Sequence, residues 1–235
     1  MSITKFILLV RRSFSIDVST ALAVYRRIIL LTLFIVITTF PARKKKITLI
    51  LDPAGDARNP GRLIGDNYER TYTSRIAHQL KEILEKKDNN IMVLFTRLPG
   101  EQNDQREKTR FANRCAPHLF INLCAYQSTH IKPQIYMYYY TNQTTTDNNC
   151  LIPLENAYQS HSALTTIYAN KIYTSISPCT RICDAHAPKG IACIPLKGIN
   201  APALCIEIGC NSAHNLHNTI SLISDALYTC LEEQK

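Results

Sequence analysis

The chain has 235 residues and carries 27 Lys or Arg against 18 Asp or Glu, a formal net charge of +9. That length holds one well-packed α/β core with a short appendage and excludes a second full domain, because single cores stop growing near ~250 residues. Nine of the basic residues and only Asp17 among the acidic ones lie in residues 1–46, so the rest of the chain has a net charge of +1; this excludes an extended phosphate-tracking surface, and with it a nucleic-acid partner.

Residues 1–46 form the appendage. Arg26 and Arg27 precede an uncharged apolar run, Ile28 to Phe40, and Arg43 to Lys46 follow it. At 1.5 Å per residue the run spans ~20 Å, short of a ~30 Å hydrocarbon core but of the length of a signal-peptide core. Phe40-Pro41-Ala42 makes a poor cleavage site, so the segment is expected to be either a removed signal or a retained anchor whose cationic side chains reach the headgroups. A buried core helix is the alternative.

Beyond Lys46 strands alternate with helices. Ile47 to Leu51 reads as a buried strand ending in Asp52-Pro53, followed by a Gly/Pro/Asn-rich loop, Ala54 to Asp66. Tyr68 to Lys87 has helical spacing, with Ile76, Leu80, Ile83 and Leu84 on one face. Ile91 to Phe95 is a strand, Gln105 to Arg114 a helix, and Leu119 to Leu123 a strand leading into Cys124. Ile135 to Tyr140 is a tyrosine-rich strand, Ser162 to Ser175 a helix, Ala203 to Ile208 a strand, and Leu216 to Glu233 the closing helix. The alternation predicts a single α/β domain over residues 47–235, with a mostly parallel central sheet flanked by helices.

Nine cysteines allow up to four disulfides and one thiol if the domain is exported, or buried thiols if it is not. Cys179, Cys183, His186 and Cys193 contain the donor types of a structural zinc site, although their spacing matches no common finger.

In this order the segments resemble the zinc-dependent N-acetylmuramoyl-L-alanine amidases that cut peptidoglycan, whose first strand ends in D-P-G-H-G-G. Asp52-Pro53 and Asn59-Pro60-Gly61 fit that motif and the D-P-G after it. Leu94 to Arg97 is similar to V-x-L-T-R, Ala112-Asn113 to A-N, Leu119 to Ala125 (L-F-I-N-L-C-A) to L-F-I-S-I-H-A, and Pro202 to Gly209 (P-A-L-C-I-E-I-G) to P-A-V-L-V-E-x-G. The resemblance implies zinc held by two histidines and a glutamate, and it puts Gly55, Glu69 and Cys124 at those positions and Glu207 at that of the catalytic glutamate. Glycine supplies no side-chain ligand, so the set is incomplete; catalytic zinc ordinarily takes three protein ligands.

Asp56, next to Gly55, offers a rebuilt set of Asp56, Glu69 and Cys124. Cys124 reads either as a strand-end residue filling space or as a nucleophile needing a histidine base. His78 falls on the far side of its helix from Glu69, and His118, His130, His186, His214 and His217 read as solvated or capping residues. Glu69 is also explained by its place at a helix start, whereas Glu207 inside an apolar strand needs a polar cavity or an ion pair. Of Tyr136, Tyr138, Tyr139 and Tyr140, alternation assigns half to packing, and the rest are candidates for stacking on sugar rings.

The resemblance therefore implies a hydrolase-family domain at the cell envelope, exported or anchored by its N-terminal segment, that acts on or binds peptidoglycan or muropeptides and is impaired in zinc-dependent amide hydrolysis. An active amidase partner is one implied role. The alternatives are an active enzyme with the rebuilt site and a non-enzymatic, membrane-tethered interaction scaffold.

Overall fold

The computed structural model describes residues 25–27, 29, 46–98, 100–102, 104–141, 154–211 and 216–233. The chain divides into two compact units, Met1–Lys44 and Lys45–Lys235. In the first unit the described residues are helical and exposed. The expected signal or anchor run, Ile28 to Phe40, otherwise lies outside the described residues. Among the described residues, no helix is long and apolar enough to cross a membrane.

The second unit opens with β1 (Ile47–Pro53), which is buried along its whole length, as a near-continuous apolar strand covered on both faces must be. A short hairpin, β2 (Leu63–Ile64) and β3 (Asn67–Tyr68), precedes α1 (Glu69–Lys87). This helix buries Tyr72, Ile76, Leu80 and Leu84, with Glu69 in its first turn and Lys86 and Lys87 in its last, charges that complement the helix dipole. Next come β4 (Ile91–Phe95) and α2 (Gln105–Cys115). In α2 the Asp104 side chain caps the helix by accepting from Arg106 N–H, and Ala116 stops it at φ 42°.

Strands β5 (Leu119–Gln127) and β6 (Gln134–Tyr140) follow, then a 3₁₀ turn (Leu154–His161) and α3 (Ser162–Ile176). Two short strands, β7 (Asp184–Ala185) and β8 (Lys189–Ile191), lead to a second 3₁₀ turn (Ile194–Leu196), β9 (Ala203–Cys210) and α4 (His217–Glu232).

The main sheet runs β4-β1-β5-β9-β6-β7, with β8 also on β6. All its pairings are parallel except β6 with β9. The exception has a physical cause. The link of residues 128–133 from β5 to β6 is far shorter than the dozen or so residues that a parallel crossover needs, so β6 must return in the opposite sense. Tertiary contacts then insert β9 between the two.

The sheet has an apolar layer on each face. On one, Leu49, Leu51, Ile121, Leu123, Ile206 and Ile208 meet α1, α3 and α4. On the other, Ile50, Phe120 and Cys205 meet Ala112 of α2 and the Leu196–Ala201 segment. The α/β class and the order of the long elements agree with the sequence reading. The hairpin and the strands β7 and β8 were not foreseen, because two or three residues carry no readable periodicity.

Candidate ligand-binding cleft at the carboxyl ends of the strands

In parallel sheets, sites form outside the carboxyl ends of the strands, and here β1 ends at Pro53, level with Leu123 of β5 and Ile206 of β9, so that Cys124 and Glu207 follow just past its end. Strand register sets Cys124 opposite Glu207 across β5 and β9, and Tyr136 opposite Glu207 across β6 and β9. Beneath them lies a buried polar network. Asp52, 2% exposed, accepts from Lys108 Nζ at 2.9 Å, Asn122 Nδ2 at 2.8 Å and Thr96 Oγ1 at 2.6 Å.

The loop before α1 is tied to that helix's start, where Glu69 N–H donates to Arg62 O and Arg70 N–H to Pro60 O, so the loop supplies acceptors for otherwise unpaired amides. Gly61 lets it close in. Its φ is +83°, and a Cβ there would lie 2.6 Å from Glu69 Oε2. The Glu69 carboxylate, buried at 5% exposure, accepts from Ala125 N–H at 2.9 Å through Oε1. Its Oε2 accepts from Arg62 N–H at 3.2 Å and Arg62 Nε at 3.4 Å.

Arg62 joins the two acids. Its Nη2 stands 2.7 Å from Glu207 Oε1 and 3.3 Å from Glu69 Oε1, and its guanidinium lies 5.7 Å from the centre of the Tyr126 ring. Burial works against the charge, but hydrogen bonds to Glu69 and Glu207 outweigh it and raise the Arg62 pKa. The residue stays cationic throughout the accessible pH range.

Tyrosines form the wall. Tyr138 donates to Glu207 Oε2 at 3.4 Å; burial, then the Glu207 charge and this hydrogen bond, push its phenol up to about 12. Tyr126 is likewise pushed up to about 12, by burial first and then by Tyr136 and Glu207. Tyr136 stacks on His186, ring centres 4.1 Å apart and planes 3° apart, and runs parallel to Tyr138 at 6.3 Å. Gly209 makes room for this wall, since a Cβ there would come within 2.5 Å of the Tyr126 hydroxyl. Tyr139 instead packs against the helix-covered core.

The remaining predicted residues lie nearby and make other contacts. Gly55, Asp56 and Cys124 line a cavity of about 200 Å³ together with Asp52, Arg97 and Lys108. Asp56 Oδ1 accepts from the N–H groups of Arg58 and Asn59, at 2.8 and 2.6 Å, capping its own loop. The Cys124 thiol donates to Asn122 Oδ1 at 3.1 Å and lies 3.8 Å from Cys205 Sγ. Hydrogen bonding to Cys124 and Cys193, with burial, raises the Cys205 pKa. A larger hollow of about 1140 Å³ opens beside α2 and shares Lys108 with this cavity.

The cysteine-histidine group does not assemble. Cys183 packs in the core on one face of the sheet and Cys193 in that on the other, while His186 stacks on Tyr136. No disulfide joins the eight described cysteines. His78 bonds Ser74 O, His118 accepts from Thr48 N–H at the amino end of β5, and His217 opens α4 exposed; His130 is exposed in a loop and His214 lies outside the described residues.

Sequence reasoning missed Arg62. A cation one residue beyond Asn59-Pro60-Gly61, facing two acids that lack histidine companions, was the available signal.

Comparison with known proteins agrees with this fold. The sequence profile described as N-acetylmuramoyl-L-alanine amidase matches residues 49–221. Among solved structures, the catalytic domain of CwlV, an N-acetylmuramoyl-L-alanine amidase from Bacillus (Paenibacillus) polymyxa var. colistinus, superposes with a TM-score of 0.58 at 15% identity, over 80% of this chain and 97% of that one. An N-acetylmuramoyl-L-alanine amidase from Clostridium difficile 630 gives 0.57 at 15% identity, over 81% and 97%. The CwlD amidase from Clostridioides difficile, in complex with the GerS lipoprotein, gives 0.51 at 15% identity, over 80% and 98%. No curated protein matches the chain in sequence. With the profile spanning most of the chain, from β1 into α4, the chain belongs to the N-acetylmuramoyl-L-alanine amidase family.

Proposed function

We propose that residues 47–235 bind peptidoglycan or its muropeptides at the cell envelope and are impaired in zinc-dependent amide hydrolysis, with residues 1–46 serving export or anchoring. Family membership supports the ligand class. The basic, apolar N-terminal sequence supports the placement.

Zinc is the group that the family implies, and in such a site it would activate a water and polarise the amide carbonyl. The donor set here does not fit it. Gly55 has no side chain, and its φ of +77° and the 2.8 Å approach of Pro60 O leave no room for one. Asp56 is turned to its own loop. The observation that carries the reading is that both Glu69 oxygens already accept N–H groups, from Ala125 and from Arg62. Glu207, the carboxylate assigned to proton handling, is likewise engaged by Arg62 and Tyr138. What remains is a cleft whose half-buried tyrosines and charged groups suit binding of a glycopeptide.

A protein partner is supported by one neighbour, the CwlD amidase, whose structure is a complex with a lipoprotein.

The test uses purified full chain: zinc content by mass spectrometry, co-sedimentation with insoluble peptidoglycan, and dye release from labelled peptidoglycan. Sedimentation without dye release is expected. Stoichiometric zinc with dye release abolished by Glu207→Gln would overturn the impairment. Absence of both metal and binding would favour the interaction scaffold.

A further inference from the structure

The geometry points to Arg62 as a built-in cation that replaces the metal, holding Glu69 and Glu207 together so that the cleft is organised without zinc. This deepens the functional reading above and rests on the same cleft. Glu69 starts α1 and Glu207 lies three residues before the end of β9, and both are largely withdrawn from water, with side chains 7% and 19% exposed. A single nitrogen, Arg62 Nη2, lies 2.7 Å from one carboxylate and 3.3 Å from the other. The two acids therefore face one another at short range, and two like charges so placed repel unless a cation stands between them.

The arginine is held for that task rather than draped over the surface. Its backbone N–H and its Nε both donate to Glu69 Oε2, its carbonyl accepts from Glu69 N–H, and Tyr126 lies beneath its guanidinium. Gly61, at φ +83° with no space for a Cβ against Glu69, sets the turn that aims the side chain inward. The planar fork gives several donors in fixed directions, whereas a metal ion at the same point would need lone pairs that these donors already take. Half of the Arg62 side chain is exposed, at 51%, so the clamp is of moderate strength rather than that of a fully desolvated pair.

The experiment is thermal unfolding of the full chain, wild type and variants, with and without a metal chelator. Wild type is expected to melt at one temperature in both conditions. Arg62→Ala is expected to melt about 2 to 6 °C lower, the range for losing one to two moderate ion pairs in a domain of this size. Arg62→Lys should recover part of that loss by keeping the charge. Adding Glu207→Gln to Arg62→Ala should raise the melting temperature above that of Arg62→Ala alone, because the repelling charge is removed; a bystander arginine would give additive losses. Chelation that lowers the wild-type melting temperature but leaves Glu69→Gln unmoved would overturn the inference, as would Arg62→Ala melting with wild type. None of these readouts uses peptidoglycan, so failure to bind cell wall would remove the proposed function and leave this inference standing.

Discussion

Lys108→Met is expected to destabilise the domain through Asp52. Lys108 is 8% exposed and Asp52 2%, with their charged atoms 2.9 Å apart. Methionine keeps the apolar stem and removes the ammonium, which takes the ion-pair partner from a buried carboxylate while its hydrogen bonds from Thr96 and Asn122 stay in place. Removing one partner of a buried ion pair costs about 3 to 5 kcal/mol, and the two retained hydrogen bonds put the expected loss at the low end, about 3 kcal/mol. In a domain of this size that is a fall of about 6 to 12 °C in Tm. Urea unfolding followed by circular dichroism should show a lower midpoint with an unchanged slope. The double variant Asp52→Asn/Lys108→Met removes both charges and should return to within about 1 kcal/mol of wild type. Lys108→Met within about 0.5 kcal/mol of wild type, or a double variant no more stable than the single one, would refute the argument that loss of the ammonium from a buried carboxylate sets the cost.

Glu85 provides a pH-dependent test. Burial raises its pKa, but hydrogen bonds from Lys81 Nζ and Val93 N–H outweigh that and hold it below its ordinary 4.5. A depressed folded-state value gives stability that is present above the unfolded pKa and lost as pH falls through the folded one. Wild type should therefore exceed Glu85→Gln by about 0.5 kcal/mol at neutral pH, a figure discounted for its partial exposure, and the gap should close below pH 4.5; a gap constant with pH would count against it. Gly55→His combined with Cys124→His should fail to bind zinc and lose about 1 to 3 kcal/mol to backbone strain at φ +77°, and stoichiometric zinc in that variant would contradict the loop geometry. Burial pushes the thiols of Cys183, Cys210 and Cys230 up to about 11, so serine at any of the three should leave the number of thiols reacting with an aromatic disulfide in the native protein at pH 8 unchanged. A drop of one would show that site to be open.

The long elements were legible because burial leaves a periodic trace. β1 is apolar at every position except Thr48 and its closing Asp52 because both faces are covered, and α1 shows its buried stripe at Ile76, Leu80 and Leu84. Glu69 and Glu207 were found by resemblance, and Glu207 could be flagged physically as well, since a carboxylate amid A-L-C-I and I-G has to meet a partner. The partner itself was hidden. Arg62 and Glu207 are separated by 145 positions, and no local pattern records a pairing made between a loop and a distant strand. The tyrosines were half legible, because alternation separates Tyr139 from Tyr136 and Tyr138 but does not say which set faces the cleft.

The sequence by itself determined the α/β class, the order of the long strands and helices and the kinship with the amidases, since each rests on local periodicity or on motifs in fixed order. Only the tertiary structure decided the rest. The insertion of β9 between β5 and β6 set Cys124 and Tyr136 on either side of Glu207. The Gly61 turn brought Arg62 between two carboxylates. Distances of a few ångströms between residues far apart in sequence arise when layers pack, and those distances determine whether an acid pair holds a metal or an arginine.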